Sequence, residues 1–357
     1  MSQPASSSTQ PAGKAILLRH ETILLGVLVA EWVYFYFAGT TVRGTVTLGF
    51  GTMNRQFDIL RHSCEIGLLA LALTPVILTG GIDLSVGSLM GLCAILFGKL
   101  WQDAHFPLAL AIVATLGIGA VAGGLNAALI TLLRLPPLIV TLGTYSLFRG
   151  LAEAITHGAD TFTNFPASFL FLGQERVLGL PTQAWIFFGV TAAYWLLVHQ
   201  TTFGRSFRAI GFAPEGARYA GLPVERRLAM VYILAGFVSA LAAIIYTARL
   251  GQAKADAGTG YELFAITAVV LGGTSIFGGV GSIYGTLLGV LAIGVLKSGL
   301  GTVPFVIKQG VGEEMSGMLT GALLLIALTG GVLPKILSNW RARRQNARLT
   351  PQPSHPA

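Results

Sequence analysis

Apolar runs almost empty of charge fill this chain, and short polar breaks separate them. They cover 22–41, 66–82, 84–98, 106–133, 135–155, 177–204, 228–248, 263–296 and 315–334. Run 22–41 carries Glu31, and run 135–155 carries Arg149 and Glu153 four residues apart. A helix needs about 20 apolar residues to cross a bilayer, fewer if it is broken. The 263–296 run has 34 residues and a Gly-rich break at 272–281, so it reads as two helices with a turn. The pattern predicts an all-α, polytopic membrane protein with about ten transmembrane helices.

The runs 66–82 and 84–98 flank a single carboxylate, in the stretch Val76-Ile77-Leu78-Thr79-Gly80-Gly81-Ile82-Asp83-Leu84-Ser85-Val86-Gly87-Ser88. A charge between membrane-grade runs is costly unless it is paired, hydrated or inside a protein cavity. Gly80, Gly81 and Gly87 let the backbone turn, and Asp83 and Ser85 suit the cap of the next helix. Two readings follow for Asp83: a helix cap, or a direct contact with substrate or ion.

The turn has an echo. Val269-Val270-Leu271-Gly272-Gly273 repeats the run into Gly81, and Ile276, Val280, Gly281, Ser282 and Gly285 match Ile82, Val86, Gly87, Ser88 and Gly91 at a constant offset of 194 residues. Phe277 stands at the position of Asp83. The echo predicts two related halves, around 66–133 and 263–330, as in many transporters.

Composition agrees. The chain has 357 residues, 53% hydrophobic and 11% charged, where a soluble domain carries about 25% charged. Its 46 glycines suit close helix packing in lipid. Net charge is +8, but the basic residues flank membrane runs, so it does not point to nucleic acid. Cys64 and Cys93 lie in or beside apolar runs and read as small fillers rather than a disulfide or metal pair.

Residues 1–16 read as a disordered tail, 17–338 as the transmembrane domain and 339–357 as a basic cytoplasmic tail. Ten spans with both termini cytoplasmic place 13 of the 23 basic residues inside, Arg205, Arg208, Arg218, Arg226 and Arg227 among them. The connection 200–227 carries these five arginines and is the longest inside loop. Within it, Pro214 and Gly221 bracket a short helix. That helix is either a charged surface turn or a docking element for a cytoplasmic partner. The outer loop 156–184, with Phe162, Phe165, Phe169 and Phe171, suits an interfacial anchor.

Other chemistries find little support. No G-x-x-x-x-G-K-[ST] occurs, so nucleotide hydrolysis would need another chain. There is no H-E-x-x-H and no histidine at ligand spacing, so neither a metal site nor a catalytic residue is expected. An ion-coupled transporter would use intramembrane acids, with Glu31 and Asp83 the candidates; Glu153 reads as a helix-surface partner of Arg149. Asn126, Thr141 and Thr144, each in an apolar run, need partners and are candidates for the translocation path or for helix–helix hydrogen bonds.

Five segments together resemble the membrane permease of bacterial ribose-type sugar ABC transporters. They are Gly80-Gly81-Ile82-Asp83-Leu84-Ser85-Val86-Gly87, Gly124-Leu125-Asn126-Ala127-Ala128-Leu129-Ile130, Pro137-Leu138-Ile139-Val140-Thr141-Leu142-Gly143-Thr144, Gly204-Arg205 with 214–221, and Ala268 to Gly273 with Gly278-Gly279-Val280-Gly281-Ser282. Residues 91–95 and 146–150 are similar to the rhamnose and autoinducer-2 branches. The resemblance implies a multi-pass protein of the bacterial inner membrane that passes a small sugar. It implies no cofactor of its own and no enzyme activity. It also implies a cytoplasmic ABC ATPase, a second permease subunit and a periplasmic sugar-binding protein as partners, with lipid around them. The family's coupling helix falls on Pro214, Glu215, Ala217, Arg218 and Gly221, with Gly216 departing from the usual pattern. The path would then run between two subunits, past Asp83, Ser85, Asn126, Thr141 and Thr144.

Overall fold

The computed structural model describes residues 20–38, 50–158, 161–303, 306, 310–312 and 314–329. The expected tails at 1–16 and 339–357 lie outside the described residues. Backbone amides have no water partner in lipid, so apolar runs close their hydrogen bonds internally as helices.

In chain order these are α1 (His20–Ala38), α2 (Met53–Leu78), α3 (Val86–Gln102), α4 (Leu108–Thr131) and α5 (Pro137–Ile155). Then come α6 (Ala167–Gln174), a two-residue hairpin β1 (Arg176–Val177) and β2 (Leu180–Pro181), and α7 (Thr182–Trp195), which runs into a π turn Leu196–Gln200. α8 (Thr202–Phe212) and α9 (Pro214–Tyr219) follow, then α10 (Val224–Leu250), α11 (Tyr261–Leu271), α12 (Ile283–Leu300) and α13 (Glu314–Thr329).

Among the described residues, each of the ten expected spans holds a helix. Among the described residues, six are long and apolar enough to cross a membrane unaided, namely α1, α2, α4, α5, α10 and α12. The others are shorter: α11, with 11 residues, is about 16 Å long, half the hydrocarbon thickness. A broken helix at that depth is tolerable only inside protein, and residues Phe264 to Val270 are all buried.

α2 is the central post, with every residue from Ser63 to Leu78 buried. It begins 13 residues before the charge-free run and takes in Arg55, Asp58, Arg61 and Glu65. α4 and α10 pack most intimately. A Cβ on Gly123 would lie 2.3 Å from the Tyr232 carbonyl, and one on Gly236 would lie 2.1 Å from the Gly119 carbonyl. Small residues four apart thus let two backbones touch where no hydrophobic force between helices operates.

The hairpins α2–α3 and α11–α12 share one layout, helix, Gly turn, helix, as the 194-residue echo predicts. The two turns meet: the Gly279 N–H donates to the Leu78 carbonyl at 2.9 Å.

Candidate functional site

The first turn, residues 79–85, leaves α2 through Gly80 at φ +82°, a conformation that favours glycine. Gly81 lies under the buried ring of Tyr232, whose hydroxyl would stand 2.4 Å from a Cβ there. The extended stretch that follows presents Asp83. Its Oδ1 accepts from the Ser85 N–H at 2.8 Å and from the Ser85 hydroxyl at 2.6 Å. Ser85 Oγ in turn accepts from Asn126 Nδ2 at 2.8 Å, and Asn126 Oδ1 accepts from the Thr144 hydroxyl at 2.8 Å. The Thr141 hydroxyl donates to the Ile82 carbonyl at 3.1 Å.

Asp83, Ser85, Asn126, Thr141 and Thr144 therefore form one connected cluster that pins the turn to α4 and α5. All five are buried within this chain. Asp83 does brace the start of α3, but through the Ser85 N–H and hydroxyl rather than through the first-turn amides. The second turn is capped differently, since Ser282 Oγ accepts from the Gly285 N–H at 3.0 Å. Phe277, at the Asp83 position, is exposed, whereas Asp83 is only 2% exposed.

The connection 200–227 folds into α8 and α9. α8 is amphipathic, with Gly204, Ser206, Phe207 and Ile210 buried. Pro214 opens α9 at its first position, where no N–H partner is needed. Gly221, at φ +80°, closes it: the Leu222 N–H donates to the Ala217 carbonyl at 3.0 Å and the Gly221 N–H to the Arg218 carbonyl at 2.9 Å. This paired bond pattern needs a left-handed residue at that position. Ala217 packs with Ile210 and Val224 in a small core of its own.

Arg218 is braced within the chain. Its Nη1 lies 2.5 Å from Glu215 Oε1, its Nε donates to Glu225 Oε1 at 2.9 Å, and its Nη2 lies 2.8 Å from the same oxygen. The hydrogen bond to Glu225, with Glu215 beside it, holds the guanidinium above its ordinary range. Around this brace Phe212 and Tyr219 are 86% and 90% exposed, which is unusual for aromatics that have nothing to cover.

Sequence reasoning missed the buried ion pair between Glu65 in α2 and Arg249 at the end of α10. Arg249 Nε donates to Oε1 at 2.6 Å and Nη2 to Oε2 at 3.0 Å. The available signal was opposite charges at the edges of two apolar runs. The reading of Arg149 and Glu153 as partners is also corrected. Arg149 gives its guanidinium to the carbonyls of Ala255 and Ala257, and Glu153 is exposed. Between the N-terminal part of α2 and the C-terminal part of α12 a cavity of about 270 Å³ is lined by Arg55, Asp58, His62, Ser63, Lys297 and Ser298. Among the described residues no cluster of three or more metal-ligating side chains occurs.

Known proteins resemble most of the chain. The family described as "Branched-chain amino acid transport system / permease component" matches residues 56–328. The autoinducer 2 import system permease protein LsrD of Yersinia enterocolitica is 41% identical over 289 residues, 79% of this chain and 85% of that protein. The LsrD permease of Escherichia coli K12 is 41% identical over 317 residues, 85% and 94% of the two chains. A solved chain assigned to the metal-chelate type of ABC transporter, in an inward-facing conformation, aligns over 84% of this chain and 99% of its own. Its 16% identity and TM-score of 0.47 are too loose to bear on the architecture. With the family match and two relatives of this identity spanning most of the chain, the resemblance to ribose-type sugar ABC permeases on the autoinducer-2 branch is borne out, and the chain belongs to the permease-component family of membrane transport systems.

Proposed function

We propose that this chain is the membrane permease of an ATP-driven importer that passes a small sugar across the bacterial inner membrane. The substrate is of the pentose, deoxyhexose or autoinducer-2 type, and the names of its relatives support the last of these. The observation that carries the reading is α9: a helix opened by Pro214, closed by the paired bonds at Gly221, braced by its own ion pairs and left exposed. The chain has no phosphate-cradling motif, so the hydrolysing site belongs to a separate cytoplasmic ATPase.

In this reading the ATPase docks on α9 through Glu215 and Tyr219. Pro214, Ala217, Arg218 and Gly221 keep the helix rigid. A floppy loop would absorb the motion of the ATPase; a capped helix passes it on. A second permease copy or sister subunit completes the path, and a periplasmic binding protein delivers the sugar to the outer face. The five-residue polar cluster holds the first glycine turn in register at the edge of that path. Both termini are cytoplasmic, so Tyr219→Cys and the outer-loop Leu178→Cys should label from opposite faces; both positions are close to fully exposed. No observation favours ion coupling through Asp83, which is already bonded to Ser85, or through Glu31 on the peripheral α1.

The test is the energy source. In proteoliposomes holding permease, ATPase and binding protein, uptake should require ATP and persist with the proton gradient collapsed. Uptake without nucleotide that stops with a protonophore would overturn the proposal.

A further inference from the structure

The cytoplasmic helices and the two glycine turns come together at one point. Gly211, next to last in α8, lies against the bond between Gly279 and Leu78. A Cβ on Gly211 would stand 2.0 Å from the Leu78 carbonyl oxygen and 2.4 Å from the Gly279 nitrogen. From the other side, a Cβ on Gly278 would stand 2.9 Å from the Gly211 Cα. Gly278 and Gly279 hold φ of +84° and +80° to make the approach. The contact is backbone on backbone. No side-chain rotamer lies between the parts to take up a displacement, and packed backbone transmits strain.

A second tie runs beside it. Arg208 Nη1 donates to the Val198 carbonyl at 3.2 Å, and His199 Nε2 accepts from the Ile283 N–H at 3.2 Å. α8 is therefore joined both to the end of α2 and to the start of α12. α9 begins three residues after Gly211.

We infer that Gly211 is a positioning residue for transport, joining α8 and α9 to both glycine turns so that the four move as one body. A push on α9 then displaces Leu78 and Gly279 together, and with them the inner ends of both repeated hairpins. The inference rests on the ATP-driven reading only for the origin of the push.

Two experiments on the full transporter test it. Gly211→Ala wedges a methyl group into the Leu78–Gly279 bond. It should leave ATPase attachment and hydrolysis in place and lower sugar moved per ATP at least tenfold. Gly189→Ala in α7, with nothing within 4 Å of the new methyl group, should change neither. An unchanged ratio in Gly211→Ala would overturn the inference. The second experiment stands even if that variant fails to insert. A Cβ on Gly279 would lie 3.3 Å from the Phe212 Cβ, close to disulfide spacing. Phe212→Cys with Gly279→Cys should cross-link on oxidation, and uptake by the oxidised protein should equal that of its reduced form. Uptake lost on oxidation and restored by reductant would mean that the segments slide past each other, and the inference would fall. This arm reads uptake alone, so it remains valid whatever drives transport.

Discussion

Glu65 and Arg249 stand 184 residues apart and meet as a two-bond ion pair, with the carboxylate fully buried and the guanidinium nearly so. The pair joins the central post α2 to α10, the longest helix among the described residues. A buried pair gives little net stability, but a widowed partner is costly. Arg249→Met alone should therefore cost about 3–5 kcal/mol, and Glu65→Leu with Arg249→Met should recover most of that. Thermal unfolding in nanodiscs checks the order; equal loss in the single and double variants would refute it.

Asn126 is the middle link between Ser85 and Thr144. Asn126→Leu leaves both hydroxyls short of a partner inside protein, at a cost of about 1–3 kcal/mol. Uptake should fall with it, since the first turn loses its hold on α4. Thr141→Val removes the bond to the Ile82 carbonyl and a longer one to the Leu138 carbonyl, and should cost about 1 kcal/mol. Melting temperature and uptake, measured side by side, decide this; a fully stable, fully active Asn126→Leu would remove the cluster from any role.

The proposed docking role of α9 carries its own prediction. Glu215→Ala with Arg218→Ala should insert and fold, because both side chains are at the surface, yet lose ATPase copurification and uptake. Removing such an anchor typically costs about 2 kcal/mol or more. Copurification at normal yield, with normal sugar-stimulated hydrolysis, would make α9 merely a charged loop.

The α4–α10 contact admits no side chain at Gly236. Gly236→Val should reduce accumulation of the inserted protein at least tenfold. Gly117→Ala, with nothing within 4 Å of the new methyl group, should accumulate normally. Quantitative blotting of membranes distinguishes the two; similar levels would contradict the close packing.

Much of this protein is local, and so legible in one dimension. Each apolar run became a helix because lipid offers the backbone no other partner. Pro214 and Gly221 marked α9, since the cap chemistry lies within eight residues of chain. The 194-residue echo revealed the paired hairpins because sterics, not partners, demand glycine at such turns. Contacts between distant segments were beyond that reading. Nothing near Asn126 says that it faces Ser85 rather than a pathway, and nothing near Arg149 says that it leaves Glu153 for the carbonyls of Ala255 and Ala257. Glu65 reads as the edge of a span until α10 brings Arg249 beside it. Gly211 reads as a helix breaker until two turns close over its missing side chain. Helix formation follows from each segment's own solvent, whereas pairing depends on which faces packing presses together.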